Sequence, residues 1–369
     1  MVLVVLTLLA VFGFLAVAGL SRVYFRQQQF LGDRWFARGV ADLKSGQPEQ
    51  AVSAFRSALR YSRDNYTYQL SLAQALAALK RTDEAQTYLI SLWEREPENG
   101  TTSLELGRIY AGKGEMDPAL RYYHSAVYAA WADDTGQHRR TARLELIDFL
   151  LRENAVAQAQ SELIALAANM PEDSPLHVRV GSLFIQVQDY EHALAQYREA
   201  LRIDRRNSAA LAGAGRAAFE LSRYEPAQRY LEDAVASDPQ DAQSSELLRT
   251  AALVQQMDPY RRQISIFKRH RIVEEVFASA GERLRACSAE TSPGAPSQPS
   301  HDDQVKLLAS SWNALKPRVT DGGLRENPDL IDIAMDLVFA IERQTSGQCG
   351  TPTRADQALL LVSKLHGGN

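Results

Sequence analysis

Few residues in this 369-residue chain are of kinds and spacings that could run a reaction. His124, His138, His177, His192, His270, His301 and His366 are scattered, and none falls at a spacing that presents two imidazoles to one metal. Asp133-Asp134 would offer two carboxylates to a hard cation, but the pair equally reads as a solvated turn. Gly213-Ala214-Gly215 lacks the Lys-Ser/Thr that closes a phosphate loop. It falls inside a helical stretch, where Gly215 is a packing position. There is no His-Glu-x-x-His and no Gly-x-Ser-x-Gly. The expectation is a protein without catalytic residues, metal or cofactor, and with no small-molecule substrate in evidence. Cys287 and Cys349 fit no zinc motif. They are either a disulfide, if the tail folds back on the preceding helix, or two unrelated small residues. A disulfide would require an oxidising compartment.

The chemistry that remains is recognition, and the elements that would present it repeat. Large, small and aromatic residues recur about every 34 positions. Trp35, Gly39, Ala51, Phe55 and Ala58 are followed by Leu72-Ala73, Ala85, Leu89 and Pro97. Leu106-Gly107, Tyr110, Ala119, Tyr123 and Ala126 come next. About six extra residues intervene around Ala132 to Arg139. The register then resumes with Leu146, Leu150, Ala159, Leu163 and Pro171, with Gly181, Phe184, Ala193, Tyr197 and Ala200, and with Gly215, Ala227, Leu231, Ala234 and Pro239. Small residues let two helices approach closely, and an aromatic fills the gap between them. Ser45-Gly46-Gln47-Pro48 and Gly112-Lys113-Gly114-Glu115 mark turns between paired helices. A single pair cannot bury its apolar face, so pairs must stack.

This order of residues resembles the tetratricopeptide repeat. The resemblance implies an all-α, right-handed superhelix of about six helix pairs that binds proteins in a concave groove. Carried over position by position, the groove residues are Phe36, Val40, Lys44, Gln74, Leu104, Arg108, Asp148, Arg152, Ser182, Gln186, Arg216 and Phe219. Arginines among apolar positions suit an extended peptide or a helix of a protein partner. Arg108, Arg152 and Arg216 are the leading candidates, unless Asp148, Glu145 or Glu220 neutralises them. Phe36 and Val40 stand where chaperone-tail receptors carry key residues of their Lys/Asn/Arg carboxylate clamp, which argues against that specialisation.

The flanks set the context. Val2 to Leu20 is apolar except for Thr7, Gly13 and Gly19. As a helix it would span about 28 Å, near the thickness of a bilayer core. We read residues 1–21 as a transmembrane anchor and 22–32 as a juxtamembrane segment. A cleaved signal peptide ending near Ala16-Val17-Ala18 is the alternative. Arg22, Arg26, Arg34 and Arg38 follow the span and favour a cytoplasmic soluble part, against an exported one if the cysteines pair. The repeats occupy 33–241, in units 33–65, 66–99, 100–133, 140–173, 174–207 and 208–241. Capping helices follow at 242–288, including one expected to start at Pro259 with Arg261, Arg262, Lys268, Arg269 and Arg271 on its outer face. A Pro/Ser linker at 289–301 leads to a helical tail at 302–369, with helices expected to open at Asp302, Pro328 and Pro352. A net charge of −4 and a pI near 6.0 do not suggest nucleic-acid binding. The anchor, the repeats and the phrases around Ala334–Arg343 and Ala358–Gly367 together resemble bacterial single-pass membrane-anchored tetratricopeptide proteins. The layout also resembles a lipopolysaccharide-assembly regulator, but that family's paired Cys-x-x-Cys zinc module is absent here.

Overall fold

The computed structural model describes residues 2–131, 133–290, 299–346, 349 and 351–366, with side chains from residue 12 onward except 16, 288–290 and 299–302. The fold is all-α, and among the described residues the one extended pairing is an isolated bridge between Asn99 and Ala130. The chain divides into two units, Met1–Glu162 and Leu163–Asn369.

The first unit opens with α1 (Val2–Lys44), a single helix of 43 residues. No proline or turn sequence interrupts Ser21 to Leu31, so the expected juxtamembrane segment is helical and continuous with the first repeat helix. Phe12, Phe14, Leu20, Tyr24, Phe25 and Phe30 stand exposed along it. Among the described residues no helix is long and apolar enough to cross a membrane. More than half of the side chains of the expected Val2–Leu20 anchor lie outside those residues. Then come α2 (Pro48–Tyr61), α3 (Tyr66–Ala78), α4 (Thr82–Arg95), α5 (Gly100–Gly112), α6 (Met116–Tyr128) and α7 (Thr135–Arg152). The division between the units falls within α8 (Val156–Ala167). The extra residues after α6 are shared between a short connector and a lengthened α7. Trp131 in that connector sits against Gly100, stacks on His138 at 4.5 Å and donates its indole N–H to the Ala126 carbonyl at 3.1 Å.

One backbone device builds each pair. Left-handed residues occur at Gly46, Lys80, Gly114, Asn154, Gln188 and Ser222, which are 34 apart except for one step of 40 across the insertion. At Lys80 the residue's own N–H bonds to the Ala77 carbonyl and the next N–H reaches back to Leu76, closing the first helix in a Schellman turn. The same pair of bonds recurs at Gly114, Asn154, Gln188 and Ser222. Side chains in this region carry a cost of order 1 kcal/mol that glycine avoids. Ser222→Gly and Lys80→Gly are therefore each expected to stabilise by about 0.5–1 kcal/mol, read as raised denaturation midpoints. Helix entry is equally periodic. Asn65, Asn99, Asp173, Asn207 and Asp241 accept the backbone N–H three residues on, at 2.9–3.1 Å.

The start of the stack has a polar face. Leu72 and Leu76 of the second pair, and Leu106 and Tyr110 of the third, join the first unit's apolar cluster. The positions 34 residues before Leu72 and Leu76 are Arg38 and Asp42. A terminal repeat has no preceding pair to cover it, and polar residues suit that position.

The second unit continues with α9 (Ser174–Gln186), α10 (Tyr190–Ile203), α11 (Ser208–Glu220), α12 (Tyr224–Ser237) and α13 (Ala242–Met257). After α13 come α14 (Ile266–Glu290), α15 (Pro299–Leu315), α16 (Asp321–Glu326), α17 (Leu330–Thr345) and α18 (Arg354–His366). Instead of a sequential repeat partner, α13 receives α18 from the end of the chain, and α17 packs on α14. Phe277 of α14 stacks on Trp312 of α15, whose indole N–H bonds to the Phe277 carbonyl at 2.8 Å. Leu330, Ala334, Val338 and Ile341 are buried in the same cluster, while Ile333 is exposed. Cys287 and Cys349 are joined as a disulfide, their Cα atoms 5.0 Å apart, tying α14 to the segment before α18.

Several expected boundaries shift here. The helix expected from Pro259 starts at Ile266, because Asp258 Oδ1 accepts the Tyr260 N–H at 2.8 Å and holds a turn. Arg261 and Arg269 brace that turn through the Gln255 and Pro259 carbonyls. Helix α16 was not foreseen, and Thr320 caps it through the Gly323 N–H. Helix α17 begins at Leu330 rather than Pro328, since Asn327 Oδ1 takes the Asp329 N–H at 3.2 Å. Helix α18 begins after a reciprocal cap between Thr353 and Asp356 rather than at Pro352. Residues 291–298 of the expected linker lie outside the described residues, and the ends of that linker are helical in α14 and α15.

Candidate functional site

In the first unit, most of the residues carried over as groove positions are already engaged. Phe36 stacks on Tyr68 at 5.0 Å and leans on Phe55 at 5.6 Å, so it belongs to the packing between helices. Val40 packs against the same apolar cluster, and Leu104 is buried. Gln74 donates to Glu105 at 3.1 Å. Arg108 grips Glu145 with two hydrogen bonds of 2.7 and 2.6 Å and meets Glu105 at 3.0 Å. The Glu145 bonds, reinforced by Glu105, hold its guanidinium firmly charged against the opposing effect of burial. Asp148 is half-buried, and Lys44 and Arg152 are exposed.

In the second unit, Ser182, Gln186 and Arg216 come together. They line a cavity of about 520 Å³ between α9, α11 and the start of α13. Sequence reasoning missed its other walls, including Tyr190, Tyr197, Gly213, Gln243 and Leu247. Gly213 lets two of its walls come together. A Cβ there would collide with the Tyr197 ring, so α11 can pass close to α10 only because this residue is glycine. Tyr197 is nearly fully buried, and burial pushes its phenol up to about 12, with Arg216 pulling the other way. Its hydroxyl therefore stays protonated across the physiological range. The Asp241 carboxylate is taken up as the cap of α13, accepting from the Ser244 hydroxyl and from the Ser244 and Gln243 N–H groups. These bonds hold it below the usual carboxylate range. Ser182 donates to the Arg179 carbonyl at 2.7 Å.

Arg216 is half-buried in this wall and makes no hydrogen bond or ion pair with the described residues. Glu220, one turn along the same helix, does not neutralise it. The remaining carried-over position, Phe219, turns away from the cavity, packs against the C-terminal core and meets Tyr224 edge-on at 5.2 Å. The arrangement offers one cation, the capping carboxylate of Asp241, three carboxamides (Gln186, Gln188 and Gln243) and apolar or aromatic walls. Among the described residues no group of three His, Cys, Asp or Glu side chains could hold a metal ion.

Stacked helix pairs with a polar-and-apolar cavity between their first helices define a helical-repeat protein of the interaction class. The tetratricopeptide-repeat family model matches residues 42–99 and 184–250, so each of those stretches is similar to that family's repeats. Cellulose synthase operon protein C of Komagataeibacter xylinus is 26% identical over 56% of this chain and 17% of that protein. Anaphase-promoting complex subunit 7 of Arabidopsis thaliana is 25% identical over 52% of this chain and 33% of that protein. The chain thus spans a third or less of the length of these curated relatives. Among solved structures, YrrB, a tetratricopeptide protein with an unusual peptide-binding site, is 16% identical with a TM-score of 0.42, covering 54% of this chain and 99% of that one. PilF of Pseudomonas aeruginosa is 16% identical with a TM-score of 0.43, covering 60% and 99%.

Proposed function

We propose that this chain is a membrane-tethered, non-catalytic scaffold whose second-unit cavity takes an extended segment of a protein partner, with an acidic side chain or chain end on Arg216. The observation that carries the reading is the unpaired, half-buried Arg216 in a cavity walled by Tyr197, Gln186 and Gln243. A half-buried cation with no ion-pair partner among the described residues, the Asp241 carboxylate in the same wall being committed to the cap of α13, forgoes stabilisation that a bound carboxylate would supply. The three carboxamides in the cavity wall, Gln186, Gln188 and Gln243, suit the backbone of an extended peptide. Arg108 is a poorer candidate, because its charge is spent on Glu145 and Glu105. The apolar start of α1 is proposed as the tether.

The test is quantitative capture of partner from native membranes. Arg216→Glu is expected to reduce capture at least tenfold, a size typical of losing a partly buried charge contact. Arg152→Glu, outside the cavity, is expected to leave capture unchanged. Equal capture by wild type and Arg216→Glu would sink the assignment.

A second reading, an exported envelope-assembly factor, is favoured by the Cys287–Cys349 bridge, since disulfides persist in oxidising compartments. The similarity to a protein of a cellulose synthase operon fits it. Reporter fusions after Asn369, one active only outside the cytoplasm and one only inside, separate the two placements.

A further inference from the structure

We propose that the turn opening α14 is a contact site for an anionic bilayer surface, with Ile266 and Phe267 entering the headgroup region and Arg262, Lys268 and Arg271 against lipid phosphates. The two apolar side chains are 67% and 62% exposed. Beyond Phe30 they are the one adjacent pair of exposed large hydrophobics among the described residues. Elsewhere in this unit such residues stand singly, as at Ile203, Leu307 and Ile333, which is ordinary for a protein surface.

The wedge is held in place. Arg261 and Arg269 brace its turn through backbone carbonyls, His270 is buried against Asp321 at 2.9 Å, and Ile272 and Val273 are buried behind it. The outward cations are used differently. Arg262 and Lys268 are exposed and have no ion-pair partner among the described residues. Among the described residues Arg271 meets only the solvent-exposed Glu275, at 3.2 Å. The first turn of α14 contains no acid, so Lys268 lies at the positive end of the helix dipole, where a cation is disfavoured. Exposed apolar residues and a misplaced cation break two folding rules at one spot. Such coincidences mark functional surfaces.

A bilayer fits this combination better than a folded partner. Two side chains fall far short of a stable protein interface. Interfacial membrane sites, by contrast, are built from a few apolar residues flanked by Lys and Arg. This inference does not rest on the N-terminal tether or on the Arg216 cavity.

The experiment uses the full chain with Phe267→Trp, with vesicles of phosphatidylcholine alone or with about one third phosphatidylglycerol, and brominated acyl chains as quencher. The wild-type signal, which comes from the native tryptophans, is subtracted. Quenching of the new indole is expected in the anionic vesicles and not in phosphatidylcholine alone. Adding Arg262→Gln or Lys268→Gln, each of which removes one charge, is expected to weaken it about fivefold. Because these positions are exposed, unchanged far-UV circular dichroism serves as the folding control. No extra quenching in anionic vesicles that carry the protein overturns the proposal. Equal quenching in phosphatidylcholine alone also overturns it. Protection of the turn that appears only on adding a soluble protein overturns it in favour of a protein partner.

Discussion

Reducing the Cys287–Cys349 bridge is expected to lower the stability of the second unit by about 4 kcal/mol. The bridge closes a loop across 62 residues of sequence, and chain-entropy arguments assign roughly that stabilisation to a loop of this length. Its position gives the number a structural meaning. Cys287 is near the end of α14 and Cys349 is just before α18, and α18 is the helix that covers α13. Opening the bridge therefore loosens the element that closes the end of the repeats. The unfolding midpoint should fall by several degrees or more on adding reductant, and the Cys287→Ser plus Cys349→Ser variant should show the lower value with or without it. Hydrogen exchange should rise first in α18 and α13. Identical melting in both redox states would contradict this role, and intact mass after alkylation under native conditions would report whether the isolated protein carries the bridge.

How far the fold could be read from sequence follows from which interactions are local. The repeat register was legible because close packing dictates side-chain size at fixed offsets. Gly107 lies under Tyr123 and Gly181 under Tyr197, so a larger residue at either glycine would press on the ring. Turn chemistry was only half legible. Gly46 and Gly114 announce a left-handed residue, but Lys80, Gln188 and Ser222 adopt the same conformation because the Schellman bonds and the packed helices impose it. The tail boundaries differ from those expected because proline is not the first helical residue there. At Pro259 and Pro352 the decisive groups are carboxylates and a hydroxyl nearby, Asp258, Asp356 and Thr353, which set where the backbone enters the helix.

The site was less legible than the fold, for a different reason. Carrying over positions treats each first helix by itself, whereas the fate of an arginine is decided by the next one. Arg108 and Arg216 occupy comparable positions, yet Glu145, 37 residues away, neutralises one, and no described residue neutralises the other. Tyr197 reads as a packing aromatic, yet it lines the cavity next to Gly213 of another helix, where a Cβ would strike its ring. Neither fact is contained in any single repeat.

A buried charge in the C-terminal core sets the second large expectation. Glu342 of α17 is fully buried, and neither carboxylate oxygen has a hydrogen-bond partner. Burial pushes its carboxyl up to about 7, and Asp356 adds to the shift, while Arg283, 3.8 Å from Asp356, opposes it. The sign then follows from linkage. Near pH 4 the carboxyl is largely protonated in both folded and unfolded chains, so its ionisation does not affect stability. Between the unfolded value of 4.5 and the folded value of about 7, the unfolded chain ionises while the folded chain keeps its proton, so stability falls as pH rises. Above about pH 7 the loss is complete at roughly 3 kcal/mol. Glu342→Gln keeps the shape, removes the titration and should leave stability nearly unchanged below the unfolded value. In mildly alkaline solution it should be more stable than wild type by roughly 3 kcal/mol, with denaturant midpoints against pH as the measurement. Parallel pH profiles for the two proteins would mean that Glu342 is solvated or paired in solution. Divergence above about pH 5 would mean that the core keeps a neutral carboxylic acid, held between Asp356 and the Arg283 that also bonds the Thr345 carbonyl.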